Sequence, residues 1–185
     1  MANNRARSRQ SSARIAFCGM MSALSIVFML SGGLIPIATY CSPMISGVLL
    51  LPVLIEYGKK AAWTSYACVA LLSLFMGTDK EAAFFFLFLG NYPILKWEFD
   101  RIKHKGARFL AKLLYFNAAV IVMYLILGFV FNMDALIQEF AQMGTLLLIV
   151  FLAMLNACLF LYDRLLFPLV FLYVNKLRPR LNFLK

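Results

Sequence analysis

Three asparagines, Asn91, Asn117 and Asn156, and a tyrosine, lysine and glutamate, Tyr40, Lys80 and Glu81, are the residues whose chemistry suits recognition of a solute. The asparagines lie inside long apolar runs, where an amide is costly unless it faces a cavity or another helix. Counted from the outer, less basic ends of their runs, all three lie roughly 15 to 20 Å deep. One polar layer can therefore join three helices. It is either the floor of an outward-facing ligand cavity or a set of interhelical hydrogen bonds, each worth roughly 0.6 kcal/mol. Tyr40 stands in an uncharged first loop, where it closes over a ligand or anchors the membrane interface. Lys80 and Glu81 sit at the start of a helix, where a lysine and a helix N-terminus attract an anionic group. The structural alternative is capping, with Asp79 as N-cap and Glu81 as an ordinary first-turn acid.

Catalytic constellations are not evident. The single histidine is His104, and no glycine-rich phosphate loop or HExxH pattern occurs, so the sequence assigns no metal, no cofactor and no ATP hydrolysis. Cys18, Cys41, Cys68 and Cys158 form no CxxC pair and read as small packing residues. Glu98, Asp100 and Asp163 are the acids on which an alternative would rest, a membrane enzyme acting on a lipid or isoprenoid. Glu98-Phe99-Asp100 lacks the aspartate-rich spacing such metal-dependent chemistry needs. A non-transporting assembly protein is a further alternative. The run Phe84-Phe85-Phe86 with Phe88 and Tyr92-Pro93 either walls a pocket or faces lipid; three consecutive residues point in three directions from a helix, so lipid is expected for most of it.

The elements that carry these residues follow from composition. Hydrophobic residues make up 63% and charged residues 14% of the chain, against roughly 25% charged in a soluble domain. The mean hydropathy is +0.84. The net charge of +10 is gathered in short clusters beside apolar runs, which fits membrane topology better than nucleic acid. The chain has 185 residues, and at roughly 20 per span they accommodate about six helices and no separate soluble domain. The expected spans cover residues 15–30, 44–55, 61–76, 81–95, 113–131 and 144–175. A basic segment at 1–14, a basic stretch at about 96–112 that forms either a solvated loop or a helix at the interface, and a basic tail at 176–185 complete the organisation.

Orientation follows from the basic residues. Arg5, Arg7, Arg9 and Arg14, then Lys59 and Lys60, then Arg101, Lys103, Lys105 and Arg108, then Lys176, Arg178, Arg180 and Lys185 fall on alternate connections, and basic residues favour the cytoplasmic side. The other connections carry Asp79, Glu81, Asp134 and Glu139, with Lys80 as their only base. The expectation is an all-α membrane protein of six helices with both ends in the cytoplasm. The last span holds Asp163, so either the helix leaves the membrane at Tyr162 and the remainder lies along the inner surface, or one long helix projects into the cytoplasm with that acid buried against neighbours.

In the first span Ala16, Gly19, Ser22 and Ala23 form a small-residue face suited to close approach of another helix, inside the bundle or on a partner. With this face in ARIAFCGMMSAL, the stretch GTDKEAAFFFLFLGNYPILK and the tail NACLFLYDRLLFPLVFLYVNKLRPRL, the chain resembles the substrate-binding S components of energy-coupling factor (ECF) transporters. The likeness is to a subgroup without assigned substrates and covers nearly the whole chain. It implies a multi-pass prokaryotic cytoplasmic-membrane subunit that is not itself an enzyme and captures a vitamin-like small molecule. It also implies partners, a transmembrane coupling subunit and two ATPase subunits. Gly19, Ser22 and Ala23, with Gly19-x-x-x-Ala23 in place of the usual Ala-x-x-x-Ala, would meet the coupling subunit. Tyr40, Lys80, Glu81, Asn117 and Asn156 would bind substrate.

Overall fold

The computed structural model describes residues 2–32, 38–76, 79–131 and 145–180, and these are almost entirely helical. Expectations for Asp134, Glu139, Gly144 and Lys185 lie outside the described residues. The helices are α1 (Ala2–Gly32), α2 (Ala38–Val48), α3 (Leu51–Met76), α4 (Lys80–Leu89), α5 (Tyr92–Phe99), α6 (Lys105–Phe131) and α7 (Thr145–Leu172). A π-helical turn over Tyr173–Leu177 and a 3-10 turn over Arg178–Arg180 follow α7. Ser11–Gly32, Lys105–Gly128 and Ile149–Leu177 are each long and apolar enough to cross a membrane, and the bent pair Thr39–Val48 with Leu51–Met76 makes a fourth candidate. The chain divides into two compact units, one of residues 1–94 with 166–185 and one of 95–165.

In the first unit, α1 packs on α2 and α3 through Phe17, Ser25 and Met29, all buried and spaced by multiples of four. The Ser25 hydroxyl donates to the Ser46 carbonyl (3.0 Å) and the Ser46 hydroxyl returns the bond to Ser25 (2.9 Å). Ser42 donates to the Phe28 carbonyl. Tyr57 lies 5.8 Å from the Phe17 ring, and the Arg14 guanidinium stands 5.8 Å above Tyr57. Partners thus descend in number along α2 and early α3 as α1 ascends, so the two run antiparallel. A 67° bend separates α2 from α3. Its cause is Pro52, which has no N–H to donate to the Val48 carbonyl.

Gly58 interrupts α3 with φ 79° and ψ −178°, a conformation essentially reserved for glycine. Beyond it, Ala61, Ala62, Ser65, Tyr66, Val69, Ala70 and Ser73 form a buried stripe of mostly small residues, while Phe75 on another face is 83% exposed. Small residues inward and large apolar ones outward is the arrangement of a helix solvated by lipid. The Tyr66 hydroxyl donates to the Leu87 carbonyl, and Lys80 donates to the Leu74 carbonyl (2.9 Å), so this part of α3 and α4 are also antiparallel.

Several expected boundaries are corrected. Tyr40 stands in helix α2, not in a loop. The expected span over 81–95 is broken into α4 and α5, because Pro93 cannot donate to the Leu89 carbonyl. At the break, a Cβ on Gly90 would come within 2.5 Å of the Phe86 ring. Phe84, Phe85 and Phe86 are buried rather than lipid-facing, since α1, α2 and α3 all pack against α4. The basic segment about 96–112, expected as a solvated loop or an interfacial helix, is largely helical, with α5 reaching Phe99 and α6 starting at Lys105.

In the second unit, α6 and α7 are antiparallel: Phe109 meets Phe160 (ring centroids 5.7 Å), Lys112 meets Asp163 (3.0 Å) and Asn117 meets Asn156 (3.0 Å). Helix α7 continues past Asp163, and that acid is only 9% exposed, which gives the continuity and the buried acid of the long-helix alternative.

Gly58→Ala is expected to destabilise the protein by about 1–3 kcal/mol through backbone strain alone, since nothing lies within 4 Å of the added Cβ. Gly106→Ala, equally open but with ordinary helical backbone, is the control and is expected to leave stability within about 0.5 kcal/mol or raise it slightly. Thermal unfolding of the two variants in detergent checks both.

Candidate functional site

Two clusters hold the functional candidates, one in each unit. In the first, the Tyr40 hydroxyl donates to Glu81 Oε1 (2.7 Å), and the Tyr40 ring packs edge-on to Phe85 at 5.4 Å. Helix α4 begins here because the Asp79 side chain accepts from the Ala82 N–H (3.1 Å), the expected N-cap. The Lys80 ammonium donates to the Leu74 carbonyl in the last turn of α3, satisfying a carbonyl the helix itself leaves open. Tyr40, Lys80 and Glu81 therefore gather where α2, α3 and α4 meet. An ammonium has three donors and Leu74 takes one, so Lys80 retains capacity for an acceptor on a ligand.

In the second unit, Asn117 and Asn156 form a reciprocal amide pair. Asn117 Nδ2 donates to Asn156 Oδ1 (3.0 Å) and Asn156 Nδ2 to Asn117 Oδ1 (3.2 Å). Each Nδ2 also donates to the carbonyl four residues back, Leu113 (2.8 Å) and Leu152 (2.9 Å). All four amide N–H bonds are engaged, so the pair acts as a clasp between α6 and α7 and offers a ligand only residual acceptor capacity. The expected polar layer is realised between these two helices; Asn91 stands in the turn between α4 and α5, in the other unit.

Below the clasp is a charge cluster that sequence reading did not assemble. Asp163 accepts from Lys96 and from Lys112 (3.0 Å to each carboxylate oxygen), and Lys112 also bonds Asp100 (2.9 Å). Lys96 donates in addition to the Asp163 backbone carbonyl (2.8 Å) and lies 3.8 Å from Asp100. The side chains of Lys96, Lys112 and Asp163 are only 12–15% exposed. Two lysines and two aspartates neutralise one another, which is what allows charge to stand among apolar helices. The signal in the sequence is Asp163 itself, an acid in a long apolar run that requires a basic partner.

Glu98 instead pairs with Arg101 on the surface (3.3 Å). Among the described residues no group of three or more His, Cys, Asp or Glu is arranged to hold a metal ion. Along α1, Ala16, Gly19 and Ala23 are exposed and Ser22 is half-buried.

The fold defines an all-helical protein whose apolar helices suit a membrane. Comparison with protein-family models, with curated proteins and with solved structures finds no match to this chain.

Asp163→Leu is expected to cost on the order of 3–5 kcal/mol, because two nearly buried ammonium groups lose their shared counter-ion. In a double-mutant cycle, Asn117→Leu and Asn156→Leu are expected to show coupling of about 1 kcal/mol. Unfolding of the four proteins in detergent measures the coupling; additive effects would show that the clasp carries no energy.

Proposed function

We propose that this protein is the substrate-binding membrane subunit of an ECF-type importer, taking up a vitamin-like solute from the outer face of a prokaryotic plasma membrane. In this reading the chain crosses six times with both ends cytoplasmic. The antiparallel pairings support it, because Pro52 bends and Gly58 breaks what would otherwise be one long pass. α1, α2 with early α3, late α3, and α4 with α5 then make four passes, and α6 and α7 make two. Arg14, Lys59, Lys60 and Arg178 cluster around the Gly58 break, Arg178 through its 2.9 Å ion pair with Glu56. Basic residues at this end favour the cytoplasmic side, which leaves Tyr40, Lys80 and Glu81 outside.

The observation that carries the reading is the stripe of small residues on the outer face of α1. Ala16, Gly19 and Ala23 are exposed on it, and a Cβ added at Gly19 would meet nothing within 4 Å. Lipid is well matched by large side chains, whereas small residues at this spacing suit close approach by another helix. A transmembrane coupling subunit, bringing two cytoplasmic ATPase subunits, is the partner that fits. Tyr40, Lys80 and Glu81 are the leading substrate contacts. Asn117 and Asn156 act mainly by fixing α6 against α7.

Gly19→Leu is expected to leave stability within about 0.5 kcal/mol, since the added side chain enters open space. It should nevertheless abolish co-purification of the coupling and ATPase subunits from the native host. Normal assembly by this variant would contradict the docking face. Mass spectrometry of the solubilised wild type is expected to find a bound small molecule whose affinity falls in Tyr40→Phe; a chain that is always isolated alone and empty would contradict the importer reading.

A further inference from the structure

A cleft between α6 and α7 is not used by the function proposed above. Its inner part, about 420 Å³, is walled by Phe109, Leu113, Phe116, Ala157 and Phe160. Its mouth, about 410 Å³, shares Phe109, Lys112, Phe160 and Asp163 with that apolar part, so the two are continuous. The mouth is lined by five basic side chains and two acidic ones. Both acids, Asp100 and Asp163, are already held by Lys112, and Asp163 by Lys96 as well. What remains is uncompensated positive charge. Among the described residues Lys105 and Arg108 have no ion-pair partner, and Arg108 is half-buried. Arg164 stacks its guanidinium 5.2 Å above Phe160, at the boundary between the charged and apolar parts. The N-terminus of α6, at Lys105, adds its positive dipole end to the same mouth.

We propose that this cleft is a binding site for one anionic phospholipid, with the phosphate at Lys105, Arg108 and Arg164 and an acyl chain against Phe109, Leu113 and Phe116. A soluble phosphate would use the mouth and leave the apolar part unfilled. A zwitterionic lipid would bring its own cation to a site that already carries excess positive charge. An anionic lipid satisfies both halves, as basic pockets between membrane helices do elsewhere. Assignment of the site to the cytoplasmic leaflet rests on the orientation proposed above; the binding itself does not.

Native mass spectrometry of the full chain, purified in detergent and offered dioleoylphosphatidylglycerol, dioleoylphosphatidylcholine or inorganic phosphate, tests the site. The phosphatidylglycerol adduct is expected to survive where the phosphatidylcholine adduct is lost. The double variant Lys105→Gln, Arg108→Gln should lower phosphatidylglycerol retention about thirtyfold, from the loss of two charges near a lipid headgroup. Ala157→Phe alters no charge and replaces an exposed residue, so it tests the apolar half even if the double variant fails to fold. It too should lower retention. Equal retention of the two lipids would identify ordinary annular lipid and overturn the proposal. Displacement of phosphatidylglycerol by millimolar inorganic phosphate would reduce the site to one for a free anion, and unchanged retention in Ala157→Phe would remove the acyl chain from the cleft.

Discussion

A charge placed among apolar helices must be neutralised where it stands, and this constraint organises both units of the protein. In the second unit Asp163 is answered by Lys96 and Lys112, which ties the end of α5 and both long helices to one point. In the first, Glu56 is answered by Arg178 in a bidentate pair (2.9 and 3.3 Å) and by the Tyr173 hydroxyl (3.4 Å), which fixes the segment after α7 beside the Gly58 break. Once these acids are neutralised, the charge left over is basic, and it gathers beside the helix ends. That residue of charge is what orients a helical membrane protein.

The same solvent explains the reversed faces of the helices. Late α3 turns Ala61, Ala62, Ser65 and Ser73 inward and leaves Leu71, Leu72 and Phe75 outward. Between α1 and α2 the inward serines Ser25 and Ser46 engage carbonyls of the facing helix, which small side chains allow by bringing the backbones close, whereas Ser73 donates to the Ala70 carbonyl of its own helix. α1 departs from this pattern on one side only. Its outward stripe of Ala16, Gly19 and Ala23 is built like an interior face, yet all three residues are exposed. Tyr40, Lys80 and Glu81 lie far from that stripe's start along the chain, yet α2, α3 and α4 bring them together.

Helical class and membrane character were legible in the sequence because they depend on composition and on the length of apolar runs. The Asp79 cap was legible because capping is local, from Asp79 to Ala82. Features that depend on partners distant in sequence were harder to read. Nothing near Phe84–Phe86 indicates that three helices surround α4, so a lipid-facing run was the natural expectation. The charge cluster joins Lys96 to Asp163 across 67 residues, and only the acid in its apolar run hinted at it. The asparagines were visible as misplaced amides, but that Asn117 and Asn156 spend all their N–H bonds on each other and on their own helices is a matter of geometry. For the stretch before Leu113 the sequence left loop and interfacial helix open, because Lys105 and Arg108 are compatible with either; the structure makes Lys105 the start of α6.

The sidedness of the membrane carries the rest of the account, and it is measured directly by cysteine accessibility. In a chain whose native cysteines are replaced, His104→Cys is expected to react with a membrane-impermeant maleimide only after cells are permeabilised, while a chain retaining only Cys41 reacts in intact cells. Labelling of His104→Cys in intact cells would put the basic connection outside, and with it would go both the importer reading and the inner-leaflet lipid site.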